Sequence, residues 1–214
     1  MIISLSILNV EKQQRKNKIN EFATASLNNW IHFDVMDGKF VENKTFAYEV
    51  VNEVNEYCSL FKDVHLMTYI PNEYLKEYKE AGTNQITFHY ESVNKGEILN
   101  IINEIKSLDM KVGMSIKPNT SIEELDEYLK YLDLVLVMSV EPGKGGQKFM
   151  NESLDKIRYL KRKQKDHHYL ISVDGGINNE TSKLVKEAGA DVIVVGTYLT
   201  KEKMTEDKVK GLMN

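Results

Sequence analysis

One pattern recurs eight times along this chain: a short β-branched or apolar run, then turn residues, then a longer charged stretch with helical periodicity. The runs are Ile2–Leu8, Trp30–Val35, Phe61–Leu66, Gln85–His89, Lys111–Ile116, Leu134–Met138, Tyr169–Val173 and Val192–Val195. Each is short and several are apolar at consecutive positions, as expected of parallel strands covered on both faces. The segments between them read as helices. Glu11–Leu27 places Ile19, Phe22, Ala23 and Leu27 on one face, and Ile98, Ile101, Ile102 and Ile105 form a stripe at spacings of three and four. Ser121-Ile-Glu-Glu124 has the form of a capping box opening a helix. Gly189, within Ala188-Gly-Ala-Asp191, is placed to stop one, and Ala81-Gly82 does the same earlier in the chain.

Eight strands alternating with eight helices is the predicted count. Spread over 214 residues, each unit takes about 27, close to what a strand, a helix and two short loops consume. The competing arrangement is an open doubly wound sheet, which usually has five or six strands and a glycine-rich turn after the first. Here Asn9-Val-Glu-Lys12 follows the first run, without glycine. The expected fold is therefore a TIM (β/α)₈ barrel, a single domain over residues 1–214, near the lower size limit of that fold. With 42% hydrophobic and 28% charged residues, 12 Gly and 3 Pro, the chain is globular rather than collagen-like, disordered or coiled-coil. Its one cysteine, Cys58, excludes an intrachain disulfide framework and a cysteine-based zinc site.

A barrel directs attention to the C-terminal ends of its strands, where active sites of this fold lie. Polar residues collect there: Ser6 on the first strand, His32 and Asp34 on the second, Asp63 and His65 on the third, Asp174 on the seventh. Residues two apart on a strand share a face, so His32 and Asp34 point together into the barrel mouth. His65 arrives from the neighbouring strand and Asp174 from the opposite side. Two imidazoles and two carboxylates make a four-ligand site for one divalent ion, and this donor mix suits Zn²⁺, Fe²⁺, Mn²⁺ or Co²⁺ better than Mg²⁺ or Ca²⁺.

Glycines form a second constellation. Pro142-Gly-Lys-Gly-Gly146 follows the sixth strand, Gly175-Gly176 the seventh and Gly196-Thr197 the eighth. Closely approaching backbone with free N–H groups makes anion nests, and the loops after strands 7 and 8 are the usual phosphate site of this fold. The net charge of −4, with both signs interspersed, argues against a general nucleic-acid binder, which needs a basic face. Attraction for an anion must then be local. The apolar stretch Met1–Leu8 is too short to span a bilayer. A cytoplasmic protein with a reduced Cys58 is expected, with no nucleic-acid or membrane partner.

The chain resembles the ribulose-phosphate 3-epimerase family along nearly its whole length. The matching segments are Ser4-Leu-Ser-Ile-Leu8, His32-Phe-Asp-Val-Met-Asp-Gly38 with Phe40, Val41 and Asn43, Asp63-Val-His-Leu-Met67, and Ile86-Thr-Phe-His89. They continue through Val137-Met138, Pro142-Gly-Lys-Gly-Gly-Gln147, Val173-Asp-Gly-Gly-Ile-Asn178, Ala188-Gly-Ala-Asp191 and Val195-Gly196. The resemblance implies interconversion of D-ribulose 5-phosphate and D-xylulose 5-phosphate in the pentose phosphate pathway. It implies His32, Asp34, His65 and Asp174 as metal ligands and Asp34 and Asp174 as the acid/base pair. Ser6, His65, Gly143, Lys144, Gly145, Gly146, Asp174, Gly175, Gly176, Gly196 and Thr197 would contact substrate, and Met36, Met67 and Met138 would wall the pocket. The expected partners are a small sugar phosphate and further copies of the chain in a homo-oligomer.

The chemistry explains the residue types. Epimerisation removes a proton next to a carbonyl and returns one to the opposite face, which two carboxylates on opposing sides can do. Departures from the family pattern fall elsewhere: Glu42 where proline is usual, Ala47-Tyr48 after Phe46, Lys144 in place of an aromatic residue, and Lys117-Pro-Asn-Thr120. Nearest among the alternatives is an epimerase of a hexulose phosphate such as D-allulose 6-phosphate. A decarboxylase of the orotidine-phosphate type expects Asp-x-Lys-x-x-Asp, which Asp63-Val-His-Leu-Met-Thr68 lacks. A non-catalytic sugar-phosphate sensor would favour loss of an acid/base aspartate, and both are present. His89 is expected to be a hydrogen-bonding neighbour of the site, His167-His168 and Lys161–Lys165 to be solvated, and Cys58 to be a structural or surface thiol.

Overall fold

In the computed structural model, which describes residues 1–25 and 29–213, eight parallel strands close on themselves in sequence order. They are β1 (Ile2–Ser6), β2 (Asn29–Met36), β3 (Phe61–Met67), β4 (Gln85–His89), β5 (Lys111–Ile116), β6 (Leu134–Met138), β7 (Leu170–Asp174) and β8 (Val192–Val195). Closure comes from β8 pairing with β1, with Ile2 opposite Val192 and Leu5 opposite Val195. The (β/α)₈ barrel expected from the pattern is the fold.

Alternation along each strand divides the work. On β2, Ile31, Phe33 and Val35 join the main apolar core shared with the helices. Their neighbours His32, Asp34 and Met36 face the barrel interior. That interior is split in character. β6 and β8 fill their side with Leu134, Leu136, Met138, Val192 and Val194. β2, β3 and β4 line theirs with His32, Asp63, His65, Gln85, Thr87 and His89, all nearly or fully buried. Buried polar groups survive only when partnered, and this half of the barrel is where the site is built.

Outside the barrel run α1 (Lys12–Ala25), α2 (Tyr48–Asn55), α3 (Leu75–Glu80), α4 (Ile98–Ser107), α5 (Ser153–Lys163), α6 (Thr181–Ala188), α7 (Thr197–Thr200) and α8 (Glu206–Gly211). The isoleucine stripe of α4 is wholly buried, as its spacing predicts. α1 buries Ile19 and Phe22 but exposes Ala23, and Leu27 lies outside the described residues. The helix also buries Arg15, whose Nη1 meets Glu53 Oε1 at 3.1 Å while its guanidinium sits over Phe46. α6 ends at Gly189, whose φ of 113° lets its N–H turn back to the carbonyls of Val185 and Lys186. Cys58 is a buried free thiol.

Several expectations need correction. β1 stops at Ser6 rather than Leu8, and β7 runs one residue later than predicted. Tyr169 lies before the strand, with its hydroxyl donated to the Leu160 carbonyl. The predicted count of one helix per strand fails between β5 and β6, where only two 3₁₀ turns, Ile122–Leu125 and Leu129–Tyr131, make the crossover. The Ser121 capping box does not form there: the Ser121 hydroxyl donates to Glu123 instead of accepting a backbone N–H. A second helical element then follows β8, where α7 and α8 both lie. Among the described residues, no helix is long and apolar enough to cross a membrane.

Candidate active site

Parallel register places the site residues side by side. Opposite one another stand His32 and Asp63, Asp34 and His65, and Met36 and Met67 on β2 and β3. Ser6 pairs with His32 across β1 and β2, and Met138 with Asp174 across β6 and β7. One potential ligand atom each from His32, Asp34, His65 and Asp174 lies within 4.8 Å of the others. The structure thus brings together all four residues predicted as ligands.

Each of the four is held by a partner outside the cluster. Ser6 donates its hydroxyl to Asp34 Oδ2 at 2.7 Å, leaving Oδ1 to face the imidazoles at 3.4 Å each. His32 Nδ1 is 2.9 Å from Asp63 Oδ2. Asp63 Oδ1 in turn accepts from Gln85 Nε2 at 2.8 Å and Thr87 Oγ1 at 3.0 Å. His65 Nε2 meets His89 Nε2 at 2.9 Å, and His89 Nδ1 meets Glu91 Oε2 at 3.2 Å. The Ser139 hydroxyl donates to the carbonyls of Asp174 at 2.9 Å and Gly175 at 2.7 Å, pinning the end of β7.

Within this shell His32 Nε2 is fully buried yet makes no hydrogen bond. Such an orphan is costly, and it faces the two carboxylates. An unpaired imidazole nitrogen, a second imidazole and two carboxylates, each oriented from behind, form a donor set that fits a divalent cation.

The two carboxylates are driven apart in acidity. Burial raises the Asp34 pKa, but the neighbouring imidazoles, the charge of His32 foremost and then His65, outweigh it and hold the group far below the ordinary aspartate value. Asp174 feels burial and then the negative charge of Asp34, and is pushed up to about 6. Burial opposes a charge on His32, yet Asp34 and Asp63 overcome it and raise its pKa well above the usual value. His89 is lowered to about 4, chiefly by burial. One carboxylate that is ionised throughout thus faces one that keeps its proton into the weakly acidic range, an arrangement suited to an acid and a base.

Above this floor lies a cavity of about 80 Å³. Ser6, Met36, Met67, Met138, Gly143, Lys144, Gly145, Gly146, Gly175, Gly176, Gly196 and Thr197 line it with Asp34 and Asp174. His65 lies beneath the floor, with no exposed surface, and does not line the cavity. Lys144 is exposed at the rim. Gly176 brings backbone against backbone: at φ 65°, a Cβ there would come within 2.5 Å of the Phe149 backbone nitrogen. The β2 loop clasps the glycine loop, with Asn43 Nδ2 donating to the Gly143 carbonyl at 2.8 Å. His167 and His168, Lys161 and Lys165 lie away from this cavity, where their sequence surroundings put them.

Some participants were not singled out from the sequence. Ser139, Asn9 and Glu91 carried no motif. Asn9, whose Nδ2 donates to Thr197 Oγ1 at 3.2 Å, belongs to the cavity wall. Gln85, Thr87 and His89 did carry a signal, since three polar residues at spacings of two on one strand share an interior face.

Comparison with known proteins follows the same lines. Residues 2–200 match the family model described as "Ribulose-phosphate 3 epimerase family". A protein of Aquifex aeolicus named ribulose-phosphate 3-epimerase is 42% identical over 188 residues, covering 86% of this chain and 84% of that protein. A rice protein named ribulose-phosphate 3-epimerase, cytoplasmic isoform, is 40% identical over 173 residues, covering 79% and 75%. Among solved structures, a mutant tryptophan synthase alpha-subunit of Pyrococcus furiosus superposes with a TM-score of 0.72 at 18% identity, covering 99% of this chain and 96% of that one. At that identity the likeness is one of fold.

Proposed function

The chain belongs to the ribulose-phosphate 3-epimerase family, and on that basis we propose that it interconverts D-ribulose 5-phosphate and D-xylulose 5-phosphate through Asp34 and Asp174. The observation carrying this reading is the pair of carboxylates, one from β2 and one from β7, that meet beside two imidazoles at the floor of one cavity. Asp34, ionised, removes the C3 proton from one face of the sugar. Asp174, in its protonated form, delivers a proton to the other face, and the roles exchange in the reverse direction. Ser6 keeps the Asp34 carboxylate turned toward the substrate, and Ser139 holds the backbone from which Asp174 projects. What a divalent cation held by His32, Asp34, His65 and Asp174 would supply is Lewis acidity toward the carbonyl oxygen beside the reacting carbon. Zn²⁺, Fe²⁺, Mn²⁺ and Co²⁺ all suit the donor set.

Met36, Met67 and Met138, all nearly fully buried, provide an apolar wall that keeps water from the flat, electron-rich intermediate. The phosphate is assigned to the backbone of Gly143–Gly146, Gly175–Gly176 and Gly196–Thr197, with Lys144 at the rim. Residues 1–214 act as one catalytic domain, and the name of the rice relative favours work in the cytoplasm. A coupled assay with ribulose 5-phosphate and allulose 6-phosphate in parallel, run in deuterium oxide, tests the assignment. Turnover of the pentulose with deuterium at C3 is expected. A faster rate with the hexulose, or turnover without deuterium uptake, would overturn it.

A further inference from the structure

Behind His65 runs a chain of hydrogen bonds, buried at the two imidazoles and partly buried beyond them, with a single permitted direction. Its far end is anchored by a backbone N–H, which can only donate, and by a hydroxyl whose partner, a carboxylate, can only accept. The backbone N–H of Lys117 and the hydroxyl of Thr120 reach Glu91 Oε1 at 2.7 and 2.5 Å. Lys156 fixes that loop, its ammonium donating to the carbonyls of Lys117, Pro118 and Thr120 at 2.6 to 2.8 Å. Glu91 Oε2 is then left to accept from His89 Nδ1 at 3.2 Å. A neutral imidazole that donates through Nδ1 must accept through Nε2. His89 Nε2 therefore accepts from His65 Nε2 at 2.9 Å. With its proton committed there, His65 presents a bare Nδ1 toward Asp34, 3.4 Å away.

His32 is arranged the opposite way. Its Nδ1 faces Asp63, whose other oxygen is occupied by Gln85 and Thr87, and its Nε2 faces the cluster. The two imidazoles thus enter the site through different nitrogens, and each needs its own orienting carboxylate.

We propose that Glu91 and His89 are positioning residues that set the tautomer of His65, so that the Glu91 carboxylate selects which His65 nitrogen can bind the metal. The inference rests on the reading of His32, Asp34, His65 and Asp174 as a metal site. Partners of this kind orient ligand imidazoles and tune their affinity. His89 and His65 have no exposed surface, so water does not replace a lost link.

Glu91→Gln makes the sharpest perturbation. A glutamine amide has one acceptor and one donor end. Lys117 N–H and Thr120 Oγ claim the acceptor, which turns the NH₂ group toward His89 Nδ1. That nitrogen must then accept, and the His89 proton moves to Nε2, where it confronts His65 Nε2. His89→Gln, by contrast, keeps an acceptor toward His65 and a donor toward Glu91, so it preserves the direction of the chain.

The test combines long-range ¹H–¹⁵N NMR of the histidine side chains in metal-free protein with Zn²⁺ affinity measured by chelator competition. In the unsubstituted protein His89 is expected to carry its proton on Nδ1, and in Glu91→Gln on Nε2. Zinc affinity should fall roughly 10- to 100-fold in Glu91→Gln and stay within about threefold of the unsubstituted protein in His89→Gln. Should Glu91→Gln not fold, His89→Phe keeps a ring beneath Phe40 and removes both nitrogens, and the same affinity loss is expected. An unchanged His89 tautomer in Glu91→Gln would overturn the proposal, as would equal losses in Glu91→Gln and His89→Gln. If the unsubstituted protein binds no zinc, manganese or cobalt, the metal reading itself fails, while the NMR result still decides the direction of the chain.

Discussion

Asp174→Asn separates what this site does for catalysis from what it does to stability. Asp174 stands half-buried at the cavity floor, opposite an Asp34 that stays ionised, and its pKa is pushed from 3.8 up to about 6. A carboxyl group whose pKa is higher in the folded chain than in the unfolded one destabilises the fold once it ionises. The sign follows directly. Well below pH 4 the group is protonated in both states and costs nothing. The penalty grows as pH rises from about 4 to 6 and is complete above 6. At about 1.4 kcal/mol per unit of pH, the interval corresponds to roughly 3 kcal/mol. Partial solvent access reduces this to about 1.5–3 kcal/mol. Asparagine has the shape of the protonated acid and carries no charge, so it removes the penalty. In metal-depleted protein at pH 8, the variant should melt higher by roughly 3–12 °C, at about 2–4 °C per kcal/mol for a chain of this size. That gain should shrink to about a third by pH 4.5 and approach zero near pH 3. Turnover should fall by roughly 10²–10⁴-fold, the usual contribution of a positioned acid or base. Calorimetry across pH, with and without chelator, and a coupled epimerase assay read the two effects. A variant that melts no higher at pH 8, or whose gain is as large at pH 4.5, would refute the electrostatic reasoning. A variant that retains full activity would refute the two-carboxylate scheme.

Three further outcomes are expected. Chelation should abolish epimerisation, and added Zn²⁺, Mn²⁺ or Co²⁺ should restore it, as read by coupled assay with metal analysis. Gly176→Ala forces a Cβ against the Phe149 backbone at a positive φ and should cost about 1–3 kcal/mol, with KM for the sugar phosphate rising more than kcat falls. Ile102→Ala on α4 empties a site with 1% exposure and should cost about 2–5 kcal/mol in denaturant unfolding. Activity per folded molecule should be unchanged in that variant.

The strand runs were legible because a covered parallel strand needs consecutive apolar residues, and the five runs that begin at Trp30, Phe61, Gln85, Lys111 and Leu134 lie within the observed strands, as does Val192–Val195. The β5–β6 crossover was not legible. Ser121-Ile-Glu-Glu124 satisfies the capping-box pattern, but the local serine–glutamate hydrogen bond competes with capping, and the segment settles into 3₁₀ turns. His32, Asp34, His65 and Asp174 were legible as a group because strand alternation and barrel geometry send them to one mouth. Their supporting residues were less so. Ser139 and Glu91 act through a hydroxyl bridging two carbonyls and a carboxylate receiving a loop, contacts between residues 26 to 36 positions apart.

By itself the sequence determined the alternation: which residues lie on strands, which of them share a face, and hence which side chains are available to a barrel mouth. Those are properties of a few neighbouring residues and of a period of two. The tertiary structure decided everything that depends on closure. Pairing of β1 with β8 completes the ring, and the β2–β3 register sets Asp34 beside His65 rather than one residue away. Only in that closed, buried interior do two aspartates of the same intrinsic acidity diverge, Asp34 downward beside two imidazoles and Asp174 upward beside Asp34. Acidity depends on distance and on exclusion of water, and residues 140 positions apart come under each other's charge only when the chain has folded.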